Sequence, residues 1–383
     1  MVIYSISPGL AASQNLSQGY FVTKQLLAVA LACVGFFAAT RIPVSWWAKA
    51  SRYLAWLAVA GCLVVMVMPL SASYPAHRWV RLGTFSFQVA ELVKLALVIV
   101  AAKFLSEKWR LGQLKDNAKT LYPMVSALVI IGIVVARLQS DLGSAVVIVV
   151  MLGALAYVVG LPLKRVAMVG ALILLLGIMA IASSGYRRDR FSTYLHQGSD
   201  CSGSGYQACQ ALISVGSGGL MGLGLGYSVQ AYGYLPEASN DSIFAIISEK
   251  FGFIGSFLIV VVYVGLLDRL RRIAERTADQ FSRLVVVGVL AWVSTQMMIN
   301  VGAMIGLLPL KGITLPLISQ GGTSIVFLAV ALGVVFQISR YTSYQAIEPA
   351  ETNEQNYQAT DYNASRGWHR RPHNSITFTR PRT

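Results

Sequence analysis

The chain has 383 residues, 55% of them hydrophobic and only 12% charged, with 31 Lys and Arg against 16 Asp and Glu for a formal charge of +15. Charge at about half the ~25% of an ordinary soluble domain excludes a water-soluble enzyme of two or three domains, because a soluble fold of this size needs charged groups to cover its surface. The basic excess would suggest nucleic acid on a soluble protein; on a membrane protein it has a second cause, the bias of Lys and Arg toward cytoplasmic loops, so its distribution decides.

Taken in chain order, charge-free runs extend from Gln25 to Thr40, Tyr53 to Ala76, Thr120 to Ala136, Leu142 to Leu163, Val166 to Tyr186, Phe251 to Leu267, Leu284 to Leu310 and Gly312 to Ser339. Most are long enough to cross a ~30 Å hydrocarbon layer as a helix of about 20 residues. A further span, Phe85 to Ala102, is apolar apart from Gln88, Glu91 and Lys94. These predict an all-α, polytopic helical bundle of nine spans over residues 1–340. The stretch from Cys201 to Gly233 is also uncharged, but its nine glycines with many Ser and Gln read as a loop with short helices. Residues 341–383, rich in Asn, Thr, Arg and Pro, read as a disordered basic tail. Its end, Arg366 to Arg382, either rests on anionic lipid or stays solvated.

With nine crossings the connections alternate. One set holds 21 Lys and Arg, including Arg41, Lys103, Lys115, Arg269, Arg276 and the tail; the other holds eight, Lys24, Arg78, Arg81, Arg137, Arg187, Arg188, Arg190 and Lys311. The positive-inside rule then puts the C-terminus in the cytoplasm and the N-terminus outside, and nucleic acid is no longer needed to explain the charge. The longest outer connection, roughly 185–241, has room for extracytoplasmic chemistry. Cys201 and Cys209 lie in it; a disulfide between them is open, since spacing alone does not show that the sulfurs meet.

Ionisable groups at membrane depth are costly and are candidates for function. Glu91 and Lys94, three apart on one helix, read either as a structural ion pair or as substrate contacts. Asp141, just before Gly143, reads first as a helix N-cap. The densest constellation runs from Tyr234 to Gly252, where Glu237 and Asp241 are four apart, Asp241 sits where a loop enters a helix, and Glu249 lies about two turns further on the same face. A carboxylate at the water–membrane boundary is partly desolvated, which makes it a better base than a surface Asp; capping by Ser239, Asn240 or Asp241 is the structural alternative. Arg78, Arg81, Arg187, Arg188, Arg190 and Lys311 supply cations suited to phosphate, or to lipid head groups.

These motifs carry a resemblance. Gly205-Tyr-Gln207, Gly216-Ser-Gly-Gly-Leu220, Gly224-Leu-Gly226 and Tyr234-Leu-Pro-Glu-Ala238, then the run from Asn300 to Ser324, together with Arg78-Trp79, Phe87-Gln88 with Glu91 and Lys94, and Gln139-Ser-Asp-Leu-Gly143, resemble the SEDS family of cell-wall proteins, to which FtsW, RodA and SpoVE belong. The likeness covers Tyr4 to Arg340, and Tyr234–Ala238 and Lys311–Ser319 look closer to the division branch, FtsW, than to RodA. It implies a peptidoglycan glycosyltransferase that polymerises lipid II at the outer face of the cytoplasmic membrane, with a class B penicillin-binding transpeptidase and division or elongation proteins as partners. Asp241 matches the family's essential aspartate, the base on the acceptor hydroxyl. By the same match Glu91 and Lys94 line a central cavity and Arg78, Trp79 and Lys311 its outer mouth; the outer cations Arg187 and Arg190 and the carboxylates Glu237 and Glu249 near Asp241 are further candidate substrate contacts. A divalent cation, Mg or Mn, could assist departure of the diphosphate-linked polyprenol; no other cofactor is implied.

The chain departs from the family pattern where His-Thr-Asp-Phe is Ser239-Asn240-Asp241-Ser242, where Gln-Pro-Ser-Glu is Gln88-Val-Ala-Glu91, where Gly-Glu-Glu is Ser248-Glu249-Lys250 and where Gln-Pro-Asp is Gln139-Ser140-Asp141. The family has ten spans, with the large outer loop before the eighth. Residues 2–7 resemble the end of the first, from which a truncated first helix is expected. Two other functions compete: a flippase for lipid-linked precursors, with Glu91, Lys94 and Asp141 along its path, and a division scaffold whose catalysis has decayed.

Overall fold

The computed structural model describes residues 3–7, 19–68, 78–82, 85–182, 201–203, 205–310 and 312–342, with the single positions 17, 185, 188, 192 and 194. The chain divides by contact into Met1–Thr342 and Ser343–Thr383; the tail expected over 341–383 lies, beyond Thr342, outside the described residues. Residues 3–7 are helical and Ile6 is buried.

Nine long helical segments follow in chain order: α1 (Tyr20–Arg41), α2 (Val44–Val67), α3 (Val89–Arg110), α4 (Tyr122–Gly132, continued at either end by the π-helical turns Asn117–Leu121 and Ile133–Leu138), α5 (Leu142–Val159), α6 (Leu163–Ala182), α8 (Ile243–Arg276), α9 (Gln280–Met304) and α10 (Gly322–Thr342). The shorter α7 (Tyr206–Ser217) and a 3-10 turn (Gln230–Tyr232) lie in the glycine-rich connection. Among the described residues seven of these segments are long and apolar enough to cross a membrane; α3, which carries several charges, is not among them. The protein is therefore a multi-pass helical membrane protein, and the wide apolar faces of α1, α2 and α8 that stay exposed are suited to lipid.

Local chemistry sets the ends of these helices. Asp141 caps α5, its Oδ1 accepting the Ser144 N–H at 2.9 Å, and Gly160, at φ 94°, closes the same helix in the left-handed conformation. Asp279 caps α9 by accepting from the Ser282 N–H at 2.9 Å. Among the described helices α9 is the most enclosed, packing on α3, α5 and α8, while α10 packs along α1 and α2 along α3.

Three elements differ from the sequence reading. The second helix ends at Val67, not Ala76, because Met68 precedes Pro69 and takes an extended conformation, ψ 134°; it begins at Val44, where Lys49 and Arg52 occupy its first turns. The segment read as a span from Phe85 starts as a strand: β1 (Trp79–Leu82) and β2 (Phe85–Gln88) form an antiparallel hairpin with Trp79 opposite Gln88, and α3 begins after it. The uncharged runs Leu284–Leu310 and Gly312–Ser339 are helical only to Met304 and from Gly322; residues 305–310 and 312–321, which belong to the return loop between α9 and α10, are non-helical, and residues 312–321 reach the turn before α8.

The longest helix, α8, is broken. Gly252 has φ 66° and ψ −163°, so the helical ladder is interrupted there. The loop 218–224 fills the gap with backbone bonds: Leu223 N–H to Glu249 O at 2.9 Å, Gly224 N–H to Lys250 O at 3.0 Å and Phe253 N–H to Gly219 O at 2.8 Å. A Cβ on Gly252 would lie 2.4 Å from the Gly222 nitrogen, so only glycine allows both the dihedral and the approach. Residues 243–250 are buried in the protein, whereas Phe253, Ile254, Phe257 and Leu258 beyond the break are exposed.

Candidate functional site

At the head of α8 the chain turns tightly over 236–242. The Glu237 carbonyl accepts from the N–H of Asn240 at 2.9 Å and of Ser242 at 3.1 Å, Glu237 itself sits at φ 52°, and the Ser242 hydroxyl donates to Pro236 O at 2.9 Å. Ser242 is the N-cap residue and makes no side-chain cap bond, so none of Ser239, Asn240 and Asp241 serves as the cap residue. Asp241 is half-buried and lines a pocket with Gln207 of α7, Asn300, Ala303 and Met304 of α9, and Leu310, Gly312 and Ile313 of the return loop. A Cβ on Gly312 would lie 3.2 Å from Asp241 Oδ2, so this carboxylate rests against a glycine held at φ 65°.

The main chain around Asp241 is gripped from the other side of the pocket. The carbonyls of Ser239, Asn240 and Asp241 accept, in turn, from the Gln320 N–H at 2.8 Å, the Ser319 hydroxyl at 2.7 Å and Asn300 Nδ2 at 2.7 Å. Asn300, buried, also donates to Ile313 O at 2.6 Å. These residues all belong to the stretch from Asn300 to Ser324 that the sequence singled out, yet Asn300, Ser319 and Gln320 had no role in that reading. Their signal was present as polar residues in an otherwise apolar run.

A second polar centre lies inside the bundle. Lys94 Nζ is 2.7 Å from Glu91 Oε1 and donates to Gln296 Oε1 at 3.3 Å, 5.1 Å from the Trp292 ring centre. Both charged side chains are buried. Trp292 Nε1 donates to the same Gln296 oxygen at 2.7 Å, and Gln296 Nε2 donates to Thr314 O at 3.1 Å. The return loop thus reaches the Glu91–Lys94 pair through Gln296, from which Thr314 accepts, and meets the Asp241 turn with Gly312, Ser319 and Gln320.

The remaining expected contacts divide as follows. Arg78 Nε donates to Gln139 O at 2.8 Å and its Nη2 to Ser140 O, which holds Ser140 at φ 54°; Trp79 pairs in the hairpin beside it. Gln88 Nε2 donates to Asp141 Oδ2 at 3.4 Å, so Asp141 is engaged as a cap and a side-chain acceptor. Glu237 Oε2 accepts from Asn240 Nδ2 at 2.6 Å at an exposed position. Glu249, expected as a substrate contact, is instead an internal anchor: Oε1 accepts from the N–H groups of Val229 at 2.8 Å and Gln230 at 3.1 Å, and Oε2 from the Ser228 hydroxyl at 2.6 Å and the Ser214 hydroxyl at 3.4 Å. A buried carboxylate needs donors, and this loop has them. Its neighbour Lys250 donates to Leu225 O at 2.8 Å.

Arg187, Arg190 and Lys311 lie outside the described residues, as does the side chain of Arg81. Cys201 and Cys209 form a disulfide at the start of α7. Among the described residues no three His, Cys, Asp or Glu side chains gather as ligands for a metal ion.

The chain is similar to known proteins over nearly its whole length. A family model described as cell cycle protein, FtsW, RodA and SpoVE, matches residues 1–344. The chain is 34% identical to stage V sporulation protein E of Bacillus subtilis over 345 residues, 90% of this chain and 93% of the relative. It is 35% identical to the probable peptidoglycan glycosyltransferase FtsW of Nitrosomonas europaea over 348 residues, 88% of each. A solved structure of a peptidoglycan synthase complex that coordinates polymerization and crosslinking superposes with a TM-score of 0.69 at 22% identity, covering 89% of this chain and 95% of that one, which establishes the likeness of fold.

Proposed function

The chain belongs to the FtsW, RodA and SpoVE family of cell cycle proteins, and from that premise we propose that it is a peptidoglycan glycosyltransferase polymerising lipid II at the outer face of the cytoplasmic membrane during cell division, with Asp241 as its base. The observation that carries the reading is the pocket at the head of α8, where a half-buried carboxylate is presented on a main chain held at three consecutive carbonyls. A base must stand within hydrogen-bond reach of the hydroxyl it deprotonates, and a fixed backbone keeps it there.

The reaction then runs in one balanced step. Asp241 takes the proton of the acceptor sugar hydroxyl, that oxygen bonds to the donor's anomeric carbon, and the bond from this carbon to the diphosphate oxygen breaks, so that the polyprenyl diphosphate leaves with the electron pair. Arg78 and the cations at 187, 190 and 311 are the groups we assign to the departing charge. The Asp241 end faces outward by the Lys and Arg distribution, with the C-terminus in the cytoplasm; the Cys201–Cys209 disulfide favours the same orientation, since disulfides persist in oxidising compartments. A class B penicillin-binding transpeptidase is the partner this reading requires for cross-linking.

The engagement of Glu91 with Lys94, and of Asp141 as a cap, favours transfer over transport, because a flippase path would need these charges turned toward a passing head group. Purified protein given lipid-linked precursor should form glycan strands, and Asp241→Asn should form almost none. Equal polymerisation by the variant would refute the base assignment, and precursor crossing sealed vesicles without polymerisation would establish the transporter instead.

A further inference from the structure

We infer that Asn300 is a positioning residue for Asp241, an inference that rests on the reading of Asp241 as the base. Three bonds hold the carbonyls of Ser239, Asn240 and Asp241. Only the third reaches the residue that bears the carboxylate, and only its donor is on a spanning helix; the other two come from the return loop. Asn300 Nδ2 has two hydrogens, and both are used: one on Asp241 O at 2.7 Å, the other on Ile313 O at 2.6 Å. Since both partners are acceptors, the nitrogen and not the amide oxygen faces them.

This fork ties together the two walls between which the carboxylate stands. Ile313 follows Gly312, the residue against which Asp241 Oδ2 rests, so one carboxamide sets both the residue that carries the base and the surface behind it. Asn300 lies in α9, the most enclosed of the described spans, and is itself a lining residue of the pocket. A side chain on a packed helix gives a firmer reference than a loop, whose own position would otherwise decide where the base points. The turn is held through its carbonyls, which every residue has, so the identity of the side chains at Ser239 and Asn240 does not determine the path of the chain.

The test is steady-state polymerisation by the purified full-length protein with lipid II. Asn300→Ala removes the fork, and Asn300→Asp keeps its size while taking away the paired donors. Both should lower kcat about 100-fold, the loss expected from a misplacement of about 1 Å, with KM changed less than about threefold. Thermal midpoints in detergent should show both variants folded. In an Asp241→Asn background, Asn300→Ala should cost less than about threefold more, because a residue that acts through Asp241 has nothing left to position. Wild-type kcat in either variant, a change confined to KM, a full additional loss in the Asp241→Asn background, or failure of both variants to fold would each overturn the assignment. Full activity of Asp241→Asn alone would mark the separate failure of the base reading.

Discussion

Asp241 and Glu249 are carboxylates eight residues apart on one segment, and the structure treats them in opposite ways. Both oxygens of Glu249 are filled by donors from Ser214, Ser228, Val229 and Gln230, and the side chain is buried. At Asp241 the carbonyl accepts from Asn300, and the half-buried side chain lines a pocket beside Gly312. A buried carboxylate ringed by donors of the fold organises its surroundings; a half-buried one that lines a pocket on a held backbone stands where a substrate hydroxyl can reach it. The difference between the anchor and the proposed base is thus one of enclosure: Glu249 is buried within the fold, and Asp241 stands at a pocket.

The largest expected effect tests the base side of that contrast. Asp241→Asn keeps the size of the side chain and the carbonyl bond to Asn300, so the fold should survive, and the polymerisation rate should fall about 1,000-fold. A thermal midpoint unchanged alongside lost activity gives the expected pattern; lost folding would place Asp241 with Glu249 as an anchor. The converse test is Glu249→Ala, which leaves two N–H groups and two hydroxyls around a void. Stability should drop by about 3 kcal/mol, read as a lowered unfolding midpoint in detergent. If this variant instead melts like the parent and loses only activity, the distinction between the two carboxylates collapses.

A third test acts on the frame that the two share. Gly252→Ala puts a Cβ where Gly222 N and Leu220 O lie within 2.5 Å of its ideal position, at a backbone conformation that L residues avoid. The break in α8 would have to move, at a cost of about 2–3 kcal/mol. Glu249 and its loop lie directly at that break, while Asp241 is held by α9 and the return loop. Stability should therefore fall more than the activity of the protein that remains folded.

The same contrast shows what a sequence can and cannot disclose. Eight uncharged runs, with one apolar run broken only by Gln88, Glu91 and Lys94, located the nine long helices, because a span must be apolar whatever its neighbours. They misplaced ends wherever a chain change carries no charge: the stop before Pro69, the strand from Phe85 to Gln88, and the stretches 305–310 and 312–321, which read as apolar as the helices beside them. Asp241 was legible because a carboxylate at a loop-to-helix junction stands out. Glu249 was equally visible, but its partners come from residues 214 to 230, and no helical spacing reveals a loop folding back onto a broken helix. Asn300 stayed hidden for the opposite reason, since one neutral amide in an apolar helix looks like any buried polar residue until its two carbonyl partners are seen.

The smallest expected effect is the most direct test of holding by carbonyls. Asn240 differs from the family's Thr, and its side chain makes a single bond, to Glu237 Oε2 at 2.6 Å, at an exposed position. Its carbonyl, in contrast, is held by Ser319. Asn240→Ala removes the first bond and leaves the second, so stability should change by less than about 1 kcal/mol and polymerisation by less than about threefold. Ser319→Ala does the reverse: it strips a donor from the Asn240 carbonyl and an acceptor from the Leu315 N–H. It should cost more, about 1–2 kcal/mol, although no atom next to the carboxylate changes. If Asn240→Ala proves the costlier of the two, the turn is held by its side chains, and the substitution of Ser239-Asn240 for His-Thr would then have altered the site itself.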